Sequence, residues 1–249
     1  FRQPSLARYL VVVVLCINLL VIAAAMFYLH GERANDEDKA RLLAENLALL
    51  VVRDIEHEYE KIDLSLRNIA EEHAYYAKRG TAELSTWLTR MQQRNTALNL
   101  LRITDAEGQA TYPLDTHDAP PMSVADRAYF IRLRDDAQAG LQISPPLLGR
   151  TSGKTVIVLA RRLEDLGGRF EGAAIASIPV DYFQDKFARL NLGPLDAIGL
   201  RAPDLIWIQR RPPLPEQMAP GLSTMTQRFR EVLDEHPDHG VFNTGPDSL

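Results

Sequence analysis

The chain has 249 residues, with 28 basic against 33 acidic side chains and a net charge of −5. That length has room for two small lobes with their own cores, and a charge balance without a basic stripe gives nucleic-acid binding no support. Cys16 is the only cysteine, so no intramolecular disulfide can form.

From Tyr9 to Leu29 the chain is apolar, broken only by Asn18. About 20 such residues cross roughly 30 Å of hydrocarbon. A cleaved signal peptide is the alternative, but the apolar core is long and no clean A-x-A pattern precedes the polar flank. Residues 9–30 therefore read as a transmembrane helix. Arg2 and Arg8 precede it and Glu32, Asp36, Glu37 and Asp38 follow it. This bias leaves residues 1–8 in the cytoplasm and everything after about residue 30 outside. An extracytoplasmic portion without disulfides suits a bacterial inner membrane and periplasm. The start at Phe1 and the stop at Leu249 are read as those of a fragment.

Residues 31–80 read as one long periplasmic helix. Neither proline nor glycine interrupts 35–78, and Val52, Ile55, Tyr59, Ile62, Leu66, Ile69 and His73 recur in steps of three and four. At about 1.5 Å per residue it would reach roughly 65 Å from the bilayer. Its stripe predicts packing on the chain's own domain, and Leu43, Leu47 and Leu50 add a surface suited to a homodimer seam. Arg79-Gly80 ends this helix and Thr81 caps a second, running to about Gln93. The first lobe is expected over 81–190. Leu100–Ile103 and Gln109–Tyr112 flank Asp105-Ala106-Glu107-Gly108, a hairpin with turn chemistry at its tip. Leu141–Ile143 and Thr155–Leu159 predict another, with a longer link punctuated by Gly149 and Gly153. Ala173–Ile178 reads as a buried strand, followed by Asp181 as N-cap of a helix with Tyr182, Phe183 and Phe187 on its apolar face.

Asn191-Leu192-Gly193-Pro194 is the linker to a second lobe, 191–249. Its expected strands are Ala197–Leu200 and Leu205–Gln209, about a turn at 202–204. A proline-rich loop at 211–220, a helix from Ser223 or Thr224 to Glu235 and a strand beginning in 240–244 follow. Three strands are fewer than the usual five, so this lobe reads as incomplete. The fold class is α+β: a long N-terminal helix, transmembrane then periplasmic, followed by two PAS-like antiparallel-sheet lobes.

The block Asp126-Arg127-Ala128-Tyr129-Phe130, then "GLQISPPLLGRTSGKTVIVLARRL", then "GRFEGAAIASIPVDYF", resembles the middle of double Cache sensor domains. The resemblance covers roughly residues 35–249 and is densest over 126–183. It implies a membrane-distal lobe that holds a ligand and a membrane-proximal lobe that returns the chain to a second membrane helix beyond Leu249. The wording of the block is most similar to sensor regions joined to GGDEF domains of diguanylate cyclases, which implies cyclic di-GMP signalling. Histidine kinases and chemoreceptors use the same fold and are the alternative, as is a ligand-free dimerisation stalk.

Among chemical motifs, Gly149 to Thr155 has three residues between its glycines where a P-loop needs four, and a strand-like run follows instead of a helix. His57-Glu58 lacks the second histidine of H-E-x-x-H, and no Gly-x-Ser-x-Gly elbow occurs. The fragment is expected to be non-catalytic, with no metal or cofactor. Arg127 with Tyr129 is the leading ligand-site pair, because a guanidinium at a helix start can hold a carboxylate with two parallel hydrogen bonds. The other reading pairs Arg127 with Asp126, Asp135 or Asp136 to fix the turn. Tyr112 at a strand end and Ser144 on the facing hairpin are further pocket-wall candidates. In amino-acid-binding double Cache domains a later aspartate accepts the ligand amine, and the matching position here is Ser177. A hydroxyl cannot offset an ammonium charge. The resemblance therefore implies a small carboxylate or another small anion as the ligand.

Overall fold

The structure, a computed structural model, describes residues 5–79, 81–94, 97–98, 100–112, 122–193, 196–202, 207–213, 231 and 233–235. The chain divides into two units, 1–54 with 228–249, and 55–227. The sequence expectations for 203–206, for most of 211–220, for most of the helix to Glu235 and for the strand from 240 lie outside the described residues.

Helix α1 runs from Ser5 to Arg79 without a break. In the first unit its stretch Tyr9–Tyr28 has a mean hydropathy of 3.0 and no buried residue, so it is long and apolar enough to cross a membrane. The amide of Asn18, the one polar interruption, donates to the Val14 carbonyl at 2.8 Å and so satisfies itself inside the helix. Leu43 and Leu50 are exposed.

In the second unit, the apolar stripe of α1 becomes a core. Ile62, Leu66 and Ile69 are fully buried. Helix α2 (Thr81–Arg94) adds Leu84 and Leu88. The main sheet contains β1 (Leu100–Thr104), β2 (Ala110–Tyr112), β3 (Gln142–Ile143), β4 (Leu147–Leu148), β5 (Thr155–Glu164) and β6 (Phe170–Pro179). The path is β2-β1-β6-β5-β3, with β4 also on β5 and every pairing antiparallel. This is the expected α+β class, with both hairpins in place and the second loop carrying β4.

Alternate residues of each strand face opposite sides of the sheet. On one side Val156, Val158, Ala160, Ala173 and Ile175 pack under Tyr129, Phe130 and Leu133 of helix α3 (Ala128–Asp135). On the other, Arg161 reaches Asp63 of α1 with two hydrogen bonds, at 2.5 and 3.0 Å. Helix α4 (Asp181–Ala188) buries Phe183 and Phe187. Its N-cap is Val180, not Asp181, and no side chain caps it. The reason is the ladder: the Val180 amide donates to the Thr155 carbonyl at 3.0 Å, and Val180 already has helical dihedrals, so Asp181 falls inside the first turn. Strands β7 (Ile198–Arg201) and β8 (Trp207–Arg211) form a separate two-stranded sheet. There the Arg201 guanidinium stacks 3.5 Å from the centroid of Trp207. Arg211 donates to the Phe187 carbonyl at the end of α4, at 2.7 Å.

Candidate functional site

Arg127 is the N-cap of α3, held extended at φ −78°, ψ 133° by its amide's bond to Val124 O. The burial of Tyr129, Phe130 and Leu133 pins the helix that follows, which fixes where the guanidinium begins. Arg127 Nη2 donates to the Leu148 carbonyl of β4 at 3.1 Å. The three carboxylates that might have claimed it have other partners. Asp126 pairs with Arg150 at 2.5 Å, Asp135 with Arg134 at 2.7 Å and Asp136 with Arg132 at 3.8 Å. Arg150 also donates to the Ser123 carbonyl. The hydrogen bond from Arg150 is the main reason the Asp126 carboxyl lies below its ordinary pKa.

Arg127 and Arg150 both line a cavity of about 270 Å³ over the α3 face of the sheet. That is near the small end of ligand clefts, roughly 300–1,000 Å³. Tyr129 and Ser177 line it with them, and Leu100, Met122, Val124 and Leu147 supply apolar wall. Burial pushes the Tyr129 phenol up to about 12, against the opposing pull of the Arg127 and Arg150 charges, so the hydroxyl stays neutral and can donate. Ser177 sits on β6 between Leu100 of β1 and Val158 of β5, with 4% of its surface exposed. No described lining residue is acidic. The arrangement offers positive charge and hydroxyl donors above an apolar floor, which suits a small anion with an apolar body.

The cavity therefore brings together Arg127, Tyr129 and Ser177. Ser144 is elsewhere: it lines a second cavity of about 380 Å³ with Ile55, Tyr59, Leu200 and Ile208. Its hydroxyl donates to Pro145 O at 2.8 Å and accepts from Val158 N at 2.9 Å. Tyr112 closes β2 opposite Ile103, and its side chain is not among those described. Reading the sequence missed Arg150, Thr151 and Ser152 as cavity residues. Their signal was the "GRTSG" loop, which local chemistry marks only as a turn. Its amides close on the loop itself, Gly149 N to Lys154 O at 2.8 Å and Gly153 N to Gly149 O at 2.9 Å, and β5 starts at once at Thr155.

No family model and no curated protein matches this sequence. Solved structures do. The extracellular domain of a protein assigned as the histidine kinase rpHK1S-Z16 aligns at 28% identity and a TM-score of 0.63, covering 72% of this chain and 71% of that one. The ligand-binding domain of the Pseudomonas fluorescens chemoreceptor CtaA, solved with L-serine, aligns at 15% identity and a TM-score of 0.55, covering 76% and 74%. The sensory domain of the Campylobacter jejuni chemoreceptor Tlp3, solved with isoleucine, aligns at 13% and 0.55, covering 79% and 80%. The chain has an extracellular sensor-domain fold. In this Cache-like sensor fold the cavity beside Arg127 lies between the sheet and α3, and an apolar helix long enough for a membrane stands at the N-terminal end.

Proposed function

We propose that this chain is the ligand-sensing region of a membrane-anchored signal transducer, periplasmic after about residue 30, and that its cavity takes a small carboxylate. The observation that carries the reading is the Arg127 guanidinium. It lines an apolar-walled cavity with Tyr129 and Ser177, while the carboxylates near it in sequence are engaged elsewhere. CtaA and Tlp3 were solved with the amino acids serine and isoleucine. The described lining here has no carboxylate to offset an ammonium group, so carboxylates without an amine are favoured over free amino acids.

Binding acts by population shift, and its reach is limited to the ligand's difference in affinity between two states. A histidine kinase or chemoreceptor output is supported by the sensor domains this chain resembles. A diguanylate cyclase output has only the wording of the 126–183 block behind it.

The test is a thermal-shift screen of the detergent-solubilised chain against small carboxylates, amino acids, polyamines and nucleobases. A carboxylate at 100 times its Kd should add about 2.7 kcal/mol of stability. Arg127→Ala should weaken that ligand roughly 10- to 100-fold, the worth of a charge-assisted hydrogen bond. Silence from every class would leave the dimerisation stalk as the better reading.

A further inference from the structure

The second cavity, of about 380 Å³, lies on the face of β5 turned away from the first. Ile157 lines it, while its neighbours Val156 and Val158 line the first, and successive side chains of a strand point to opposite faces. Its walls come from four parts of the fold. Ile55 and Tyr59 stand one turn apart on α1, Ile143 belongs to β3, Ile157 to β5, and Leu200 and Ile208 to the β7–β8 sheet. Walls on that many sides make a concave site instead of a bare apolar face, and its size falls among ligand clefts of roughly 300–1,000 Å³. The polar groups in this wall do not ask for a charged ligand. The Ser144 hydroxyl is already used twice by the backbone, donating to Pro145 O and accepting from Val158 N. Burial pushes the Tyr59 phenol up to about 12, so it stays neutral. Arg201, the one charged lining residue among those described, stacks 3.5 Å from the centroid of Trp207. No described lining residue is acidic.

We infer that this second cavity is a separate binding site for a small, uncharged, mainly apolar molecule. An apolar cavity of about 150 Å³ suffices for benzene, so this one has room for roughly ten non-hydrogen atoms. A cation would meet Arg201 and no carboxylate. An anion would compete with the Trp207 ring for the Arg201 guanidinium, so either charge would lose hydration without full return. The first cavity, with Arg127 and Arg150 in its wall, has the opposite character, and this inference does not depend on what binds there.

The experiment is equilibrium binding of radiolabelled 1-octanol and octanoate to the full chain in lipid nanodiscs, with empty nanodiscs as the reference, because detergent would itself enter an apolar cavity. Wild type should bind 1-octanol saturably above that reference, and about 10-fold or more tightly than octanoate at pH 8. Ala202→Phe, which fills the cavity, and Ile143→Arg, which brings charge to it from a half-exposed position, should each weaken 1-octanol about 10-fold or more. Arg127→Ala, in the other cavity, should leave 1-octanol binding unchanged. No saturable excess in wild type overturns the site. Tighter binding of octanoate than of 1-octanol overturns the ligand class and assigns Arg201 to an acid. Binding of 1-octanol that survives both cavity variants, or that falls in Arg127→Ala, places the probe elsewhere and overturns the site as well. If Ala202→Phe does not fold, Ile143→Arg decides the matter. None of these outcomes touches the carboxylate reading of the first cavity, which stands or falls on its own ligands.

Discussion

Asp63 shows how much one carboxylate settles. Burial by itself would raise its pKa, but hydrogen bonds and charge from Arg161, and then from Arg67, outweigh that and hold it below the ordinary aspartate value. A carboxylate with a depressed native pKa contributes its full stabilisation above the unfolded value. It loses that contribution as pH falls from about 3.9 through the native value. Asp63→Asn should therefore cost roughly 1.5–3 kcal/mol at pH 7, the worth of hydrogen bonds to a charged group. The gap from wild type should narrow as the pH drops from about 3.9 to about 3. Urea unfolding at both values checks this, and a variant as stable as wild type at pH 7 would contradict it. The same scale explains which cavity residues were legible in the sequence. Arg127 and Tyr129 stand in one contiguous turn-and-helix signal, and the strand carrying Ser177 was plain from its apolar run. Arg150 was not legible, because its role follows from an ion pair with Asp126 across 24 positions. Ser144 does line a cavity, the second one, and its hydroxyl is bonded to the backbone.

At the level of elements, the bulge where β5 meets the start of β6 is instructive. The register slips between Leu163 and Glu164, and the residues of β6 on either side of the slip are sent to opposite faces. Phe170 packs edge-on against Phe130 of α3 with centroids 5.5 Å apart, while Glu171 reaches His73 of α1 at 3.2 Å. Gly172 makes this possible at φ +143°, where an added Cβ would lie 1.9 Å from the Thr104 carbonyl oxygen. Gly172→Ala should thus separate β1 from β6 and cost well over about 1 kcal/mol. Gly153→Ala, at φ +62° with open space around it, should cost only about 1 kcal/mol from its backbone conformation. Comparing the two denaturation midpoints tests the claim, and equal losses would refute it. The apolar runs Thr155–Leu159 and Ala173–Ile178 foretold β5 and β6, but nothing local announced the slip. Periodicity likewise marked Asp181 as a cap, and the β5–β6 ladder moved the helix start back by one residue.

For the whole molecule, placement relative to a membrane is the property on which function turns. Alkaline phosphatase fused after Leu249 should be active in a bacterial host, because the apolar span Tyr9–Tyr28, the one such helix among the described residues, and the basic residues before it would leave the rest outside. An inactive fusion that fluoresces instead with a cytoplasmic reporter would reverse the topology. What the sequence alone determined was whatever depends on neighbours along the chain. The apolar span, the α1 stripe that becomes Ile62, Leu66 and Ile69, the hairpins and the α+β class all follow from local periodicity and turn chemistry. Tertiary structure alone decided which charges are satisfied. Asp63 finds Arg161 from 98 residues away, and Asp126 is taken by Arg150. Charge compensation is set by distances of a few ångströms in space, and no spacing along the chain encodes them.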